Sequence, residues 1–206
     1  MTKVEDNKPE IIKGTSGVLK RYIKATRDGT QVEEVSNALI KDILKKVKDA
    51  IDKLYEVDIY LLKEKMNEVT VCGRLAMYLQ DLFKGFKGYF VDIEYYRLKK
   101  QKEEADLRSD KIRCDILLHS RCYYERRVDN LIAIEVKLEK SLDDGQSDMR
   151  RLADFVTPEG PDTPTNAVHS TLVGLFLRLD EQGYSSGLFT PQGYTKISNV
   201  EINKPE

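Results

Sequence analysis

The chain has 206 residues, 33% charged and 40% hydrophobic, which fits a folded domain and excludes a broadly disordered chain. Its formal net charge is −1, so it has no overall basic field, and any nucleic-acid binding must come from local patches or from a metal. No apolar run approaches the ~20 residues of a membrane span, and the polar start M-T-K-V-E-D-N-K-P-E carries no secretory signal, so a cytoplasmic location without membrane association is expected. Cys72, Cys114 and Cys122 make an odd number of cysteines, which suits reduced thiols.

Residues from Ile11 to Arg27 include no acid, and Val18 to Thr26 suits either a strand or a short helix. Lys20, Arg21 and Lys24 are the candidates there for touching nucleic-acid phosphates, although a plain solvated face explains them at least as well. Thr30-Gln31-Val32-Glu33 matches a capping box, and a helix from Val32 to Tyr55 is predicted after it. Its apolar positions, Ile40, Ile43, Leu44, Val47, Ile51 and Leu54, form one stripe that serves either the core or a homodimer contact. A second helix is predicted from Ile59 or Leu61 to Phe83. Glu68, Cys72, Leu75, Ala76 and Leu79 fall on one of its faces, which puts a carboxylate in line with core residues.

Tyr89 to Leu98 is aromatic and β-branched and reads as a strand, with Asp92 and Glu94 on one face. Lys99 to Asp110 is a long charged loop of a kind that often meets ligands. Two apolar strand-like runs follow between Lys111 and Glu139, interrupted by Asp115 in the first and by Glu135 and Lys137 in the second. A helix from Ser147 to Val156 should bury Met149, Leu152, Ala153 and Val156. Thr157 to Asn166 is a Pro-rich loop, Thr171 to Leu179 a buried strand, and the tail holds one weak strand near Tyr194 to Val200. Helices, three strands, a helix and a further strand make an α/β pattern with a mixed sheet, residues 1–57 forming an N-terminal arm and helix and residues 58–206 the main domain.

The charges inside core strands call for an explanation, because a carboxylate buried alone costs several kcal/mol. A period of two sets Glu135 and Lys137 side by side on one face, and Asp115 reaches that face if the two strands pair. Two adjacent carboxylates must take up a proton or share a cation. Mg²⁺, for which Mn²⁺ can substitute, suits such oxygen ligands, and the Val136 carbonyl could add one more. Partly buried beside a metal, Lys137 is expected to have a lowered pKa and to orient water or offset phosphate charge. A zinc site from Cys114, His119 and Cys122 is disfavoured, because an odd spacing puts the first two on opposite faces of a strand.

With its acid on one apolar strand, E-x-K on the next, a Glu-bearing helix before them and a helix and strand after them, the chain resembles the PD-(D/E)XK nuclease superfamily. The likeness covers about residues 60 to 180. It also extends to a group of small bacterial proteins through N-E-V-T-V-C-G-R-L-A-M-Y-L, V-D-I-E-Y-Y-R, D-I-L-L-H-S-R and N-L-I-A-I-E-V-K. The resemblance implies a restriction-endonuclease-like α-β-β-β-α-β core with an N-terminal helical extension. It implies Asp115 and Glu135 as metal ligands, Lys137 as the water-orienting residue and Glu68 as an outer ligand, with Glu94 and His119 near the site. Cys114 stands where the motif has proline. The expected activity is Mg²⁺-dependent hydrolysis of nucleic acid, DNA above all. The competing expectations are a non-catalytic binding or assembly module that keeps the fold, and a metal-carboxylate enzyme acting on a small phosphate ester. Tyr123 to Arg127 either contacts DNA or is simply a turn.

Overall fold

The computed structural model describes residues 15–97, 112–121, 130–139, 145–156 and 171–201. The elements in chain order are α1 (Gly17–Asp28), α2 (Val32–Val57), α3 (Tyr60–Lys63), α4 (Glu68–Leu82), β1 (Phe90–Arg97), β2 (Ile112–His119), β3 (Asn130–Leu138), α5 (Gln146–Val156), β4 (Thr171–Leu179), β5 (Gly183–Thr190) and β6 (Gly193–Glu201). The loops from Lys99 to Asp110 and from Thr157 to Asn166, together with Tyr123 to Arg127, lie outside the described residues.

The six strands form one mixed α/β sheet in which sequence neighbours are also spatial neighbours. Only β3 and β4 run parallel, because α5 carries the chain back across the sheet between them; the other pairs are antiparallel. β3 is central and buried from Asn130 through Val136, which accounts for its nearly continuous apolar run. Alternation along it sends Ile132, Ile134 and Val136 into the larger core with α1, α2 and α4. Ala133 faces the smaller core, made with Leu152, Phe155 and Val156 of α5, Phe176 of β4 and Phe189 of β5. Gly174 lets α5 approach β4 closely: a Cβ there would stand 3.2 Å from that of Leu152.

Several local expectations change. Val18 to Thr26 is helical, with Leu19, Tyr22, Ile23 and Ala25 buried and Lys20, Arg21 and Lys24 exposed. The capping box does not form: Gln31 sits at the N-cap in the left-handed region at φ 48°, with no side-chain cap. The predicted second helix is two helices. Lys65 turns left-handed at φ 59°, and the Asn67 side chain then caps a fresh start by accepting from the Thr70 amide at 2.8 Å. Glu68 therefore stands in the first turn of α4, where the helix dipole favours a negative charge.

Most of the α2 stripe serves the chain's own core. Of the predicted stripe, Ile43, Val47, Ile51 and Leu54 are buried in the cluster that includes the sheet, joined by Leu39 and Ala50, while Ile40 and Leu44 pack against it partly covered. In α5 the buried positions are Asp148, Leu152, Phe155 and Val156, while Met149 and Ala153 are only partly covered. The tail holds two strands instead of one. β5 escapes a hydropathy reading because it is rich in Gly and Ser, and it is held as a hairpin between β4 and β6, with the Tyr194 ring filling the space above Gly187.

Candidate active site

The antiparallel pairing of β2 and β3 covers Ile116↔Ile134, Leu117↔Ala133 and Leu118↔Ile132, and the same register would next align Asp115 with Glu135. There the ladder gives way to a side chain: Asp115 Oδ2 accepts from the Val136 amide at 2.8 Å. The amide is buried and must be satisfied, so the carboxylate takes the place of the neighbouring strand's carbonyl. The next strand out is disturbed at the same level. Glu94 of β1 falls opposite Asp115, between the pairs Ile93↔Ile116 and Tyr95↔Cys114, and has a left-handed backbone at φ 48°. A non-glycine residue in that region is held there by its surroundings at a cost of about 1–3 kcal/mol.

Glu135 and Lys137 follow Ala133 by the period of two, toward the α5 side of the sheet. Glu135 is 1% exposed. Its Oε1 accepts from Arg151 Nε at 3.1 Å. Arg151 also donates to Asp148 Oδ1, one helical turn earlier on α5. Lys137 Nζ lies 3.0 Å from Asp148 Oδ2 and 3.7 Å from Glu68 Oε2. Where β2 and β3 part, Glu68 on one side of the sheet thus reaches a lysine that faces the other. Gly145 opens the turn into α5 at φ 76°, and a Cβ there would stand 2.5 Å from the Phe176 ring and 3.6 Å from Lys137 Cγ.

Among the described residues the site holds four carboxylates, Glu68, Asp115, Glu135 and Asp148, against two cations, Lys137 and Arg151. The imbalance shows in the titration behaviour. Burial pushes the Glu135 carboxyl up to about 8; Arg151 opposes this, and the Asp115 charge adds to it. Burial also raises Glu68, with Lys137 pulling down and the Asp115 and Asp148 charges pushing up. Set by the protein groups alone, the Lys137 pKa is raised. Burial does pull it down, but the hydrogen bond to Asp148 and the charges of Glu68, Asp148 and Asp115 outweigh that and raise it. With these protein neighbours Lys137 is a cation and a hydrogen-bond donor.

Asp148 is buried, with Oδ1 held by Arg151 and Oδ2 3.0 Å from the Lys137 ammonium. Surplus negative charge on oxygen donors among the described residues is what a hard divalent cation relieves, so the donor set fits Mg²⁺ chemically. The acids are nonetheless interleaved with the two bases, and among the described residues no three His, Cys, Asp or Glu side chains form a ready metal-holding group.

The remaining candidates lie elsewhere. His119 Nε2 is 2.7 Å from Asp92 Oδ2, and Arg121 grips the same carboxylate at 2.5 and 3.0 Å. His119 is four positions along β2 from Asp115, about 13 Å at the rise of a strand, so it belongs to a separate charged group at the other end of β1 and β2. Burial would raise Asp92, but the hydrogen bonds from Arg121 and His119 more than compensate and hold it below the usual carboxylate range. Lys20, Arg21 and Lys24 are on α1, which packs on α2. Cys114 is buried in the smaller core away from the His119 pair, which gives no support to a zinc site.

Asp148 and Arg151 are the site residues that the strand pattern did not reveal. A signal for them exists: Asp148, Arg151, Leu152 and Phe155 share one helical face, so a D-x-x-R pair rides on the stripe that packs against β3 and β4. Comparison with protein-family models, with curated proteins and with solved structures finds no match.

Proposed function

We propose that the chain is a Mg²⁺-dependent nuclease of the PD-(D/E)XK superfamily, with a restriction-endonuclease-like core running from α4 through β4, and that it hydrolyses phosphodiester bonds of nucleic acid, DNA being the expected substrate. One observation carries the reading: Asp115 and the Glu135-Val136-Lys137 segment meet where β2 and β3 part, with Asp115 bound to the Val136 amide and Glu68 beside Lys137. Asp115 and Glu135 would hold the cation, the Val136 carbonyl could contribute, and Glu68 would serve as an outer ligand. The bound ion supplies an activated water and offsets charge developing on the phosphate. The protein's own groups do the rest. Asp115 is fixed in orientation by the Val136 amide. Lys137, kept protonated by Asp148 and Glu68, offers its Nζ–H groups to a phosphate oxygen or to the attacking water. Glu68 gains from the α4 N-terminus and keeps the lysine over the site.

A non-catalytic module that keeps the same architecture is the second reading, and the Arg151–Glu135 pair favours it, since that pair partly neutralises the site without any ligand. Incubation with supercoiled and linear DNA, and with RNA, in Mg²⁺ or Mn²⁺ separates the two. Cleavage that is abolished in Lys137→Ala supports the nuclease. Binding without cleavage in either metal overturns it in favour of the module.

A further inference from the structure

Arg151 occupies one of the two carboxylates on which the nuclease reading depends. Its Nε is 3.1 Å from Glu135 Oε1, and Glu135 is sealed from solvent. The Arg151 side chain itself is 40% exposed, so its guanidinium can leave Glu135 for water without unpacking the core. It would not leave untethered. Asp148, three residues earlier on the same helix, holds the other edge of the guanidinium and is itself 2% exposed. A guanidinium has five donors in a fixed fork and can satisfy two carboxylates at once. Asp148 turns its second oxygen toward the Lys137 ammonium at 3.0 Å.

A divalent cation and a guanidinium cannot share Glu135 Oε1 without strong repulsion. Resting on the nuclease reading, we infer that Arg151 is a built-in occupant of Glu135 that a divalent cation must displace, and that Asp148 is the positioning residue that keeps both Arg151 and Lys137 in place through the exchange. The site then has two balanced states. In one, Arg151 spans Glu135 and Asp148. In the other, the cation takes Glu135 and Arg151 rests on Asp148 alone. The pair on α5 thus sets how much cation the site needs.

Calorimetric titration with Mn²⁺ alone, with no nucleic acid present, tests this without any reading of activity. Arg151→Met, which keeps reach but loses charge, should bind Mn²⁺ about tenfold tighter than wild type, the loss of one charge-assisted competitor. Arg151→Lys, which keeps the charge, should stay near wild type. Lys137→Met removes the same charge from the site without touching Glu135 and should gain clearly less. Asp148→Asn frees Arg151 to hold Glu135 alone and should weaken binding. A melting curve checks that each variant folds, and Arg151→Gln replaces the Met variant if that one does not. Unchanged or weaker binding in Arg151→Met, or an equal gain in Lys137→Met, overturns the displacement and leaves the nuclease reading standing. If neither wild type nor Arg151→Met binds Mn²⁺ at millimolar concentration, the metal assignment fails and the displacement fails with it.

Discussion

Glu135→Gln offers a test of the site's charge balance that needs no substrate. The wild-type carboxyl titrates at about 8 in the folded chain, raised from an ordinary value of 4.5, mainly by burial. An acid whose folded pKa is raised takes up a proton on folding between those two values. Its contribution to stability is therefore complete below about pH 4.5 and is lost as pH rises toward 8, with a slope of at most about 1.4 kcal/mol per pH unit. Over the whole window this is on the order of 5 kcal/mol. The attraction of Arg151 is already included in that balance, and Glu135 is too buried for solvent to screen it. Glutamine keeps the shape and cannot ionise. Glu68 is shifted in the same direction but is present in both proteins, so it largely cancels in the comparison. In EDTA, the variant should melt close to wild type near pH 5 and roughly 10–20 °C above it at pH 9, taking about 2–4 °C per kcal/mol for a chain of this size. The assay is a pair of melting curves recorded across pH. A stability difference that is the same at pH 5 and pH 9, or a variant less stable at pH 9, would refute the claim that Glu135 is ionised at a cost.

Asp115→Asn should keep the fold, because the amide oxygen can still accept from the Val136 N–H, while DNA cleavage in Mg²⁺ falls by about two orders of magnitude or more; undiminished cleavage removes Asp115 from the site. Asp115→Ala should instead lower the urea midpoint as well, since a buried N–H left without an acceptor costs about 1–3 kcal/mol. Gly145→Ala combines a left-handed backbone with a Cβ pressed 2.5 Å from the Phe176 ring. A loss of about 2–3 kcal/mol is expected in urea denaturation, and an unchanged midpoint would contradict the turn into α5. Tyr55→Phe removes a hydroxyl that donates to the Asp180 carbonyl at 2.8 Å and to that of Gly183, tying α2 to the β4–β5 turn. The expected cost is about 1 kcal/mol, read from chemical denaturation.

Short-range pattern carried a large part of the architecture. The period of two in Leu131 to Leu138 was enough to set Glu135 and Lys137 on one face, because side chains along a strand alternate whatever surrounds it. The α2 stripe and the shared face of Glu68, Cys72, Leu75 and Leu79 were legible for the same reason, since a helix repeats its direction every three to four residues. Other features depend on contacts between distant parts of the chain. Whether the α2 stripe met the core was undetermined until the sheet supplied its partner. β5 has too few apolar residues to announce itself and exists because β4 and β6 provide its hydrogen bonds. Asp115 lies where the β2–β3 ladder gives way, a consequence of register between two strands and not of either one alone. Above all, the sequence by itself put an acid, a second acid and a lysine within reach of one another. Only the tertiary structure decided what they touch, because α5 crosses the sheet and brings Arg151 to Glu135 and Asp148 to Lys137, and a charge in a low-dielectric interior takes its protonation from such neighbours.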